Sequence, residues 1–288
     1  MSMSRTVFVN GDYLPEGEAK VSVFDRGFLM ADGVYEVTSV LDGKLVDFSG
    51  HMARLRRSLA ELGMVEPAPE EELLAIHREL VARNGVRHGM VYLQVTRGAP
   101  PERDFAYPDP ATPPTLVLFT QSKPGLVDNP LAASGLSVVS IPDNRWARRD
   151  IKTVQLLWPS MGKMIAKDRG ADDAWMVEDG VVTEGTSNNA YIVRDGVLVT
   201  RGLGPEILSG ITRAAVLRLA RELQMRVEER PFTLEEAKGA EEAFVTSATT
   251  FVLPVVRIDG EAVGTGRPGP VAARLRALYV EEARRAGV

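Results

Sequence analysis

The chain has 288 residues, 44% of them hydrophobic and 25% charged, with a net charge of −5 and no cysteine. That length suits two modest domains or one large one, and the balance is ordinary for a soluble globular protein. The acidic balance argues against general nucleic-acid binding, no apolar run approaches the roughly 18 residues of a membrane span, and the absent cysteines exclude disulfides, thiolate metal sites and cysteine nucleophiles. Met1 to Arg5 lead directly into the strand-like Thr6–Val9 without the apolar segment of a signal peptide, so a cytoplasmic protein is expected.

In chain order, Thr6–Val9, the turn signal Asn10-Gly11 and Tyr13-Leu14 read as a hairpin. Residues 33–46 form a second, turned at Asp42-Gly43, with Tyr35 alternating among core positions. A helix is expected over 48–62, because Met52, Leu55, Leu59 and Leu62 fall on one stripe and Gly63 stops it. A second amphipathic helix covers 70–84. Residues 91–96 and 115–120 are β-rich runs separated by a Pro-rich loop over 98–114. Lys123 to Pro130 is the best linker, giving domains at 1–123 and 131–288 with 124–130 between them. Beyond it come a strand at 136–141, a helix over 155–166, strand pairs at 174–182 and 191–200, and a helix over 209–223. A short capped helix at 233–238, a β-rich run over 243–256 and a last helix over 271–286 complete the chain. Hairpins with segregated helices point to an α+β fold.

Several residues stand out chemically. Lys152 is read as leaving the apolar strand 136–141, where its ammonium would lose hydration and become a candidate nucleophile or Schiff-base former. Glu184 follows in a Gly/Asn-rich turn, and a lysine with a carboxylate is the pair that pyridoxal phosphate chemistry needs. Ser209-Gly210-Ile211-Thr212 opens a helix and can cradle a phosphate or simply cap it. The hydroxyl cluster Thr246 to Thr250 offers further donors, or is an edge strand with solvent-facing threonines. Arg54 reads as solvated helix charge or a phosphate ligand. Arg97 and Arg103 are loop arginines suited to a substrate carboxylate, or pair with Glu102, Asp104 or Asp109. His77 and His88 read as surface residues, His51 lies one turn before Arg54, and the three histidines show no metal spacing.

In order, Asp25-Arg26-Gly27-Phe28, Asp32-Gly33-Val34-Tyr35-Glu36-Val37, His51-Met52-Ala53-Arg54-Leu55, Val95-Thr96-Arg97-Gly98, Asp150-Ile151-Lys152, Val182-Thr183-Glu184-Gly185-Thr186-Ser187-Asn188, Gly210-Ile211-Thr212-Arg213 and Phe244-Val245-Thr246-Ser247 span nearly the whole chain. With them the chain resembles the fold-type IV pyridoxal phosphate enzymes, most of all bacterial D-amino acid transaminases. The resemblance implies two domains with the cofactor between them and a homodimer whose partner borders the site. It implies that Lys152 condenses with the cofactor aldehyde as a Schiff base and that Glu184 faces the pyridine nitrogen. Arg54, Ser187, Ile211, Thr212, Ala248 and Thr249 would hold the rest of the cofactor, chiefly its phosphate, while Tyr35 and Arg103 would hold the substrate carboxylate. The implied reaction is amino transfer from a D-amino acid, D-alanine-like, to a 2-oxo acid such as 2-oxoglutarate or pyruvate. Two departures stand out: Phe105 occupies a place where these enzymes commonly carry histidine, and Ala248 one where some carry threonine. Alternatives are an (R)-amine or L-branched-chain transaminase, an aminodeoxychorismate lyase, or a non-catalytic pyridoxal phosphate-binding protein.

Overall fold

The computed structural model describes residues 4–288; Met1 to Met3, part of the N-terminal reading above, lie outside the described residues. The chain forms two compact units. One comprises Met1–Pro124, Ile151–Gln155 and Ala283–Val288, the other Gly125–Asp150 and Leu156–Glu282.

The first unit carries β1 (Thr6–Val9), β2 (Asp12–Pro15), α1 (Arg26–Met30), β3 (Gly33–Leu41), β4 (Lys44–Leu45), α2 (Phe48–Glu61), α3 (Glu70–Arg83), β5 (Gly89–Thr96) and β6 (Thr115–Ser122). Its six strands form one antiparallel sheet in the order β2-β1-β6-β5-β3-β4. Asn10 and Gly11, then Asp42 and Gly43, take positive φ in the two hairpin turns, which is why those residue types stand there. Met52, Leu55 and Leu59 on α2, and Leu73, Ile76 and Leu80 on α3, are buried with Val91, Leu93 and Leu118 of the sheet. Each such side chain contributes about 1.5–3 kcal/mol.

His77, expected at the surface, is fully buried on α3: its Nδ1 lies 2.6 Å from the Leu73 carbonyl oxygen and its ring packs edge-on against Phe48. The helix stripe is one residue wider than its aliphatic members suggest. Burial lowers the pKa of His77 to about 4, and the Leu73 bond opposes this only in part.

The second unit carries α4 (Pro130–Ser134), β7 (Leu136–Pro142), α5 (Leu157–Asp168), β8 (Asp173–Glu178), β9 (Val181–Gly185), β10 (Asn189–Arg194) and β11 (Val197–Thr200). It continues with α6 (Ile211–Glu222), β12 (Val227–Glu229), α7 (Leu234–Lys238), β13 (Glu242–Ser247), β14 (Phe251–Ile258), β15 (Glu261–Ala262) and the part of α8 (Pro270–Ala286) that runs to Glu282. Eight of these strands run in the order β12-β11-β10-β13-β14-β7-β8-β9, with β15 on β14. The sheet is mixed: β7 pairs in parallel with both β14 and β8, and β12 with β11. Thr233 and Glu236 complete a reciprocal capping box on α7. One core joins Trp175, Ile192, Phe232, Val245 and Ile258, and a smaller cluster of Val139, Ile141, Ala174 and Met176 is covered by Ala166 of α5. The architecture is α+β.

Two further expectations are corrected. Lys152 does not leave a strand: β7 ends at Pro142, and residues 143–156 are irregular before α5 begins. Thr246 is not on an edge, because β13 lies between β10 and β14 and buries it.

Candidate active site

Lys152 belongs to the first unit although it lies far along the chain. β3 is paired along one edge by β5, and β4 covers only the far end of its other edge. Residues 152–154 fill the near end. Thr153 bridges Val34, the Tyr35 amide donates to the Lys152 carbonyl at 3.0 Å, and the Val154 amide donates to Gly33 at 3.1 Å. The Lys152 amide reaches the hydroxyl of buried Ser58 at 3.4 Å. So the lysine is fixed by backbone pairing rather than by a strand of its own. Its Nζ sits 4.2 Å from the centroid of the Tyr35 ring, and Tyr35 stacks in turn on Tyr92, and Tyr92 on Phe119, across β3, β5 and β6. The structure thereby brings together two of the expected site residues.

Arg54 does not point into solvent. Its Nε and one terminal nitrogen donate to the two oxygens of Glu36 at 2.8 and 2.7 Å, and His51 Nδ1 lies 2.8 Å from the same carboxylate. Glu36 is 1% exposed. Burial pushes its pKa up, but Arg54 and His51 outweigh this and bring it down to about 2.

Arg103 is exposed, its guanidinium 4.9 Å from the Phe105 ring, and among the described residues it makes no ion pair with Glu102, Asp104 or Asp109. Arg97 pairs instead with Asp32 at 2.8 Å, an acid that also receives Arg26 at 2.7 Å. Desolvation raises the pKa of Asp32, and the two arginines together bring it below its ordinary value. Arg26 also donates to the carbonyls of Asp104 and Ala106, so it anchors the loop that carries Arg103.

In the second unit Glu184 is buried on β9 and surrounded by donors: Arg145 at 2.6 Å, the Asn189 amide group at 2.8 Å and the Leu208 backbone N–H at 2.9 Å. All three donate, so the pocket serves the carboxylate form. Arg145 also clasps Asp143 through two nitrogens at 2.9 and 2.7 Å, and the Thr183 hydroxyl donates to Asp143 at 2.6 Å. Burial opposes the charge of Asp143, yet these partners hold its pKa below the ordinary value. Neither Arg145 nor Asn189 stands out in the sequence. Arg145 sits in an arginine-rich run that reads as solvated charge, and the only signal for Asn189 is its place in the Gly/Asn-rich turn.

Asn189 also donates to the Leu208 carbonyl at 3.0 Å, and a Cβ on Gly210 would fall 2.0 Å from its Oδ1. Glu184 is thus tied to the loop that enters α6. That helix starts at Ile211 with Gly210 as N-cap, no side-chain cap and no acidic residue in its first turn; Thr212 is buried there. Helix α6 packs on β13, which ends in the turn Ala248-Thr249-Thr250. Ser187 is exposed. Among the described residues no cluster of His, Cys, Asp and Glu is suited to a metal ion, and no helix is long and apolar enough to cross a membrane.

A lysine pinned beside an aromatic face, a carboxylate fed by donors and an uncapped helix start free of acids are the parts that amino-group chemistry on a phosphorylated cofactor requires. Residues 33–258 match the amino-transferase class IV family, and the chain belongs to that family. The fold-type IV architecture, the aminotransferase chemistry and the pyridoxal phosphate cofactor expected from the sequence stand with that membership. Among its relatives are D-alanine aminotransferases. The one from Staphylococcus aureus (strain COL) is 37% identical over 94% of this chain and 95% of that relative, and the one from Bacillus licheniformis is 41% identical over 92% of each. A solved branched-chain aminotransferase from Thermoproteus uzoniensis, with norvaline, superposes with a TM-score of 0.85 at 28% identity, covering 96% of this chain and 93% of that one. Another branched-chain amino acid aminotransferase, solved with pyridoxamine 5'-phosphate, gives a TM-score of 0.88 at 28% identity over 97% of this chain and 94% of that one. The donor set fits the cofactor: an acid that accepts from Arg145, Asn189 and the Leu208 amide suits a protonated pyridine nitrogen, and the uncapped, acid-free start of α6 suits a phosphate.

Proposed function

We propose that this aminotransferase takes the amino group of a small D-amino acid, D-alanine-like, and passes it by a ping-pong mechanism to a 2-oxo acid such as 2-oxoglutarate or pyruvate. The reading rests on the D-alanine aminotransferases, at 37–41% identity over more than nine-tenths of the chain. The observation that carries the assignment of Lys152 is its ammonium, 4.2 Å from the Tyr35 ring on a backbone paired to β3.

Bound pyridoxal phosphate supplies an aldehyde that takes up the amino group and a ring that accepts electron density from the substrate carbon. Lys152 would be the residue that holds the cofactor aldehyde, and its free Nζ would carry the proton taken from the substrate Cα to the carbon of the former aldehyde, as general base and then acid. Glu184, which accepts from Arg145, Asn189 and the Leu208 amide, would face the pyridine nitrogen and favour its protonated form. Arg54, Ile211 and Thr212, with Ala248 and Thr249, would hold the phosphate, and Ser187 would line the cofactor. Tyr35 and Arg103 orient the substrate carboxylate, a proximity effect.

The working form in this reading is a cytoplasmic homodimer whose two domains are joined by residues 124–130. Leu157, Met161 and Met164 lie exposed along one stripe of α5, apolar surface that a second copy would cover, and the lack of cysteine suits a reducing compartment. Light scattering that gives a monomer at working concentration would remove the dimer.

A second reading, an L-branched-chain aminotransferase, is favoured by the TM-scores of 0.85 and 0.88 to branched-chain enzymes. A donor panel separates the two: D-alanine, D-glutamate, L-leucine and (R)-1-phenylethylamine are each supplied with 2-oxoglutarate or pyruvate. The favoured reading expects D-alanine to turn over fastest. Faster turnover of L-leucine replaces it with the second.

A further inference from the structure

Phe251 opens β14 with a left-handed backbone, φ 60°, and a buried ring. A bulky aromatic residue rarely adopts that conformation, and such outliers persist where the surroundings hold them. The hold comes from Arg276 on α8. One terminal nitrogen donates to the carbonyls of Thr250 and Val252, on either side of Phe251, at 2.7 and 2.8 Å. The other donates to the carbonyls of Leu126 and Val127 at 3.2 and 2.8 Å. The guanidinium also lies 5.7 Å from the Phe251 ring centroid, and Tyr279, nearly one turn further along α8, packs on the same ring at 5.3 Å. Burial holds the pKa of Arg276 below the ordinary arginine value, the nearby charge of Asp128 offsetting this only in part. A rigid fork of donors spread over four carbonyls from two segments is a brace. What it braces is the turn Ala248-Thr249-Thr250, closed by a 2.7 Å contact between the Ser247 and Thr250 hydroxyls.

We propose that Arg276 is a positioning residue for the cofactor phosphate: by fixing the carbonyls on both sides of Phe251 it holds the Ala248 and Thr249 amides in the cradle that Thr212 completes. The inference rests on the reading of Thr212, Ala248 and Thr249 as phosphate donors. It concerns binding, with Arg276 acting through the backbone carbonyls it holds.

The test titrates apoenzyme with pyridoxal phosphate and, separately, with pyridoxal, which lacks the phosphate, following visible absorbance. Wild type, Arg276→Met, Arg276→Lys and Thr212→Val are compared. Arg276→Met is expected to weaken pyridoxal phosphate binding about tenfold, the worth of one charged hydrogen bond, and to leave pyridoxal binding unchanged. Arg276→Lys keeps the charge and three N–H groups and is expected to recover part of the loss. Should the Met variant not fold, the Lys variant decides by the same ratio of the two affinities. Equal weakening of both ligands would give Arg276 a purely structural role and overturn the proposal. An unchanged ratio in the Arg276 variants, with a narrowed one in Thr212→Val, overturns the Arg276 assignment alone. If Thr212→Val also leaves the ratio intact, the cradle reading falls and takes this proposal with it.

Discussion

Glu36 and Arg54 form a buried, two-pronged ion pair on adjacent elements, with bonds of 2.8 and 2.7 Å from the guanidinium to the two carboxylate oxygens. Its strength bears on stability at low pH. The pKa of Glu36 falls from 4.5 to about 2 because Arg54 and His51 together outweigh its burial. A group with a depressed folded pKa stabilises fully above its unfolded value, and that stabilisation is lost as pH falls through the folded one. The expected window is therefore between pH 4.5 and about 2, with a contribution of about 3 kcal/mol. Denaturant titrations across that window should show this slope in wild type and a flatter one in Glu36→Gln. Parallel slopes would mean that Glu36 does not carry the effect.

Arg145 is shared between Asp143 and Glu184 as the ion-pair partner of both. Arg145→Met leaves two buried carboxylates short of their shared partner and should cost about 3–5 kcal/mol, read as a fall in the denaturation midpoint. Arg145→Lys, with a single ammonium, should fall between. A Met variant as stable as wild type would show that the network is not held by this arginine.

Arg103 is exposed and pairs with no acid among the described residues, so Arg103→Ala should change stability by less than about 0.5 kcal/mol. Its expected effect is on KM, rising for amino acids far more than for amines without a carboxylate. An equal rise for both classes would remove its role in reading the carboxylate.

Gly210 has no room for a side chain, since an added Cβ would fall 2.0 Å from Asn189 Oδ1. Gly210→Ala should displace Asn189 from Glu184, destabilising the protein by about 1–3 kcal/mol. Cofactor affinity should fall with it. If affinity survives intact, the link from Glu184 through Asn189 to α6 is not needed for binding.

The local features are legible in the sequence because they follow local rules. The stripe Met52, Leu55 and Leu59 marks α2, and the Asp-Gly pairs at 179 and 195 take the positive φ their turns require. Thr233 and Glu236 announce α7. Lys152 is recognisable by type and order, but its surroundings are not. It pairs with β3, more than a hundred residues earlier, and no periodicity records such a contact. Arg145, Arg148 and Arg149 look alike in sequence, and only the fold shows which one turns inward to Glu184. The short helix α1 escapes a sequence reading because its signal is a single capping residue, Asp25, whose carboxylate accepts from the Gly27 amide.

The claim on which the rest depends is that Lys152 binds the cofactor covalently. Borohydride reduction of the fully loaded protein, followed by digestion and mass spectrometry, addresses it most directly. A reduced pyridoxyl phosphate adduct is expected on the peptide containing Lys152. An adduct on a different lysine, or unmodified Lys152 in fully loaded protein, would contradict it.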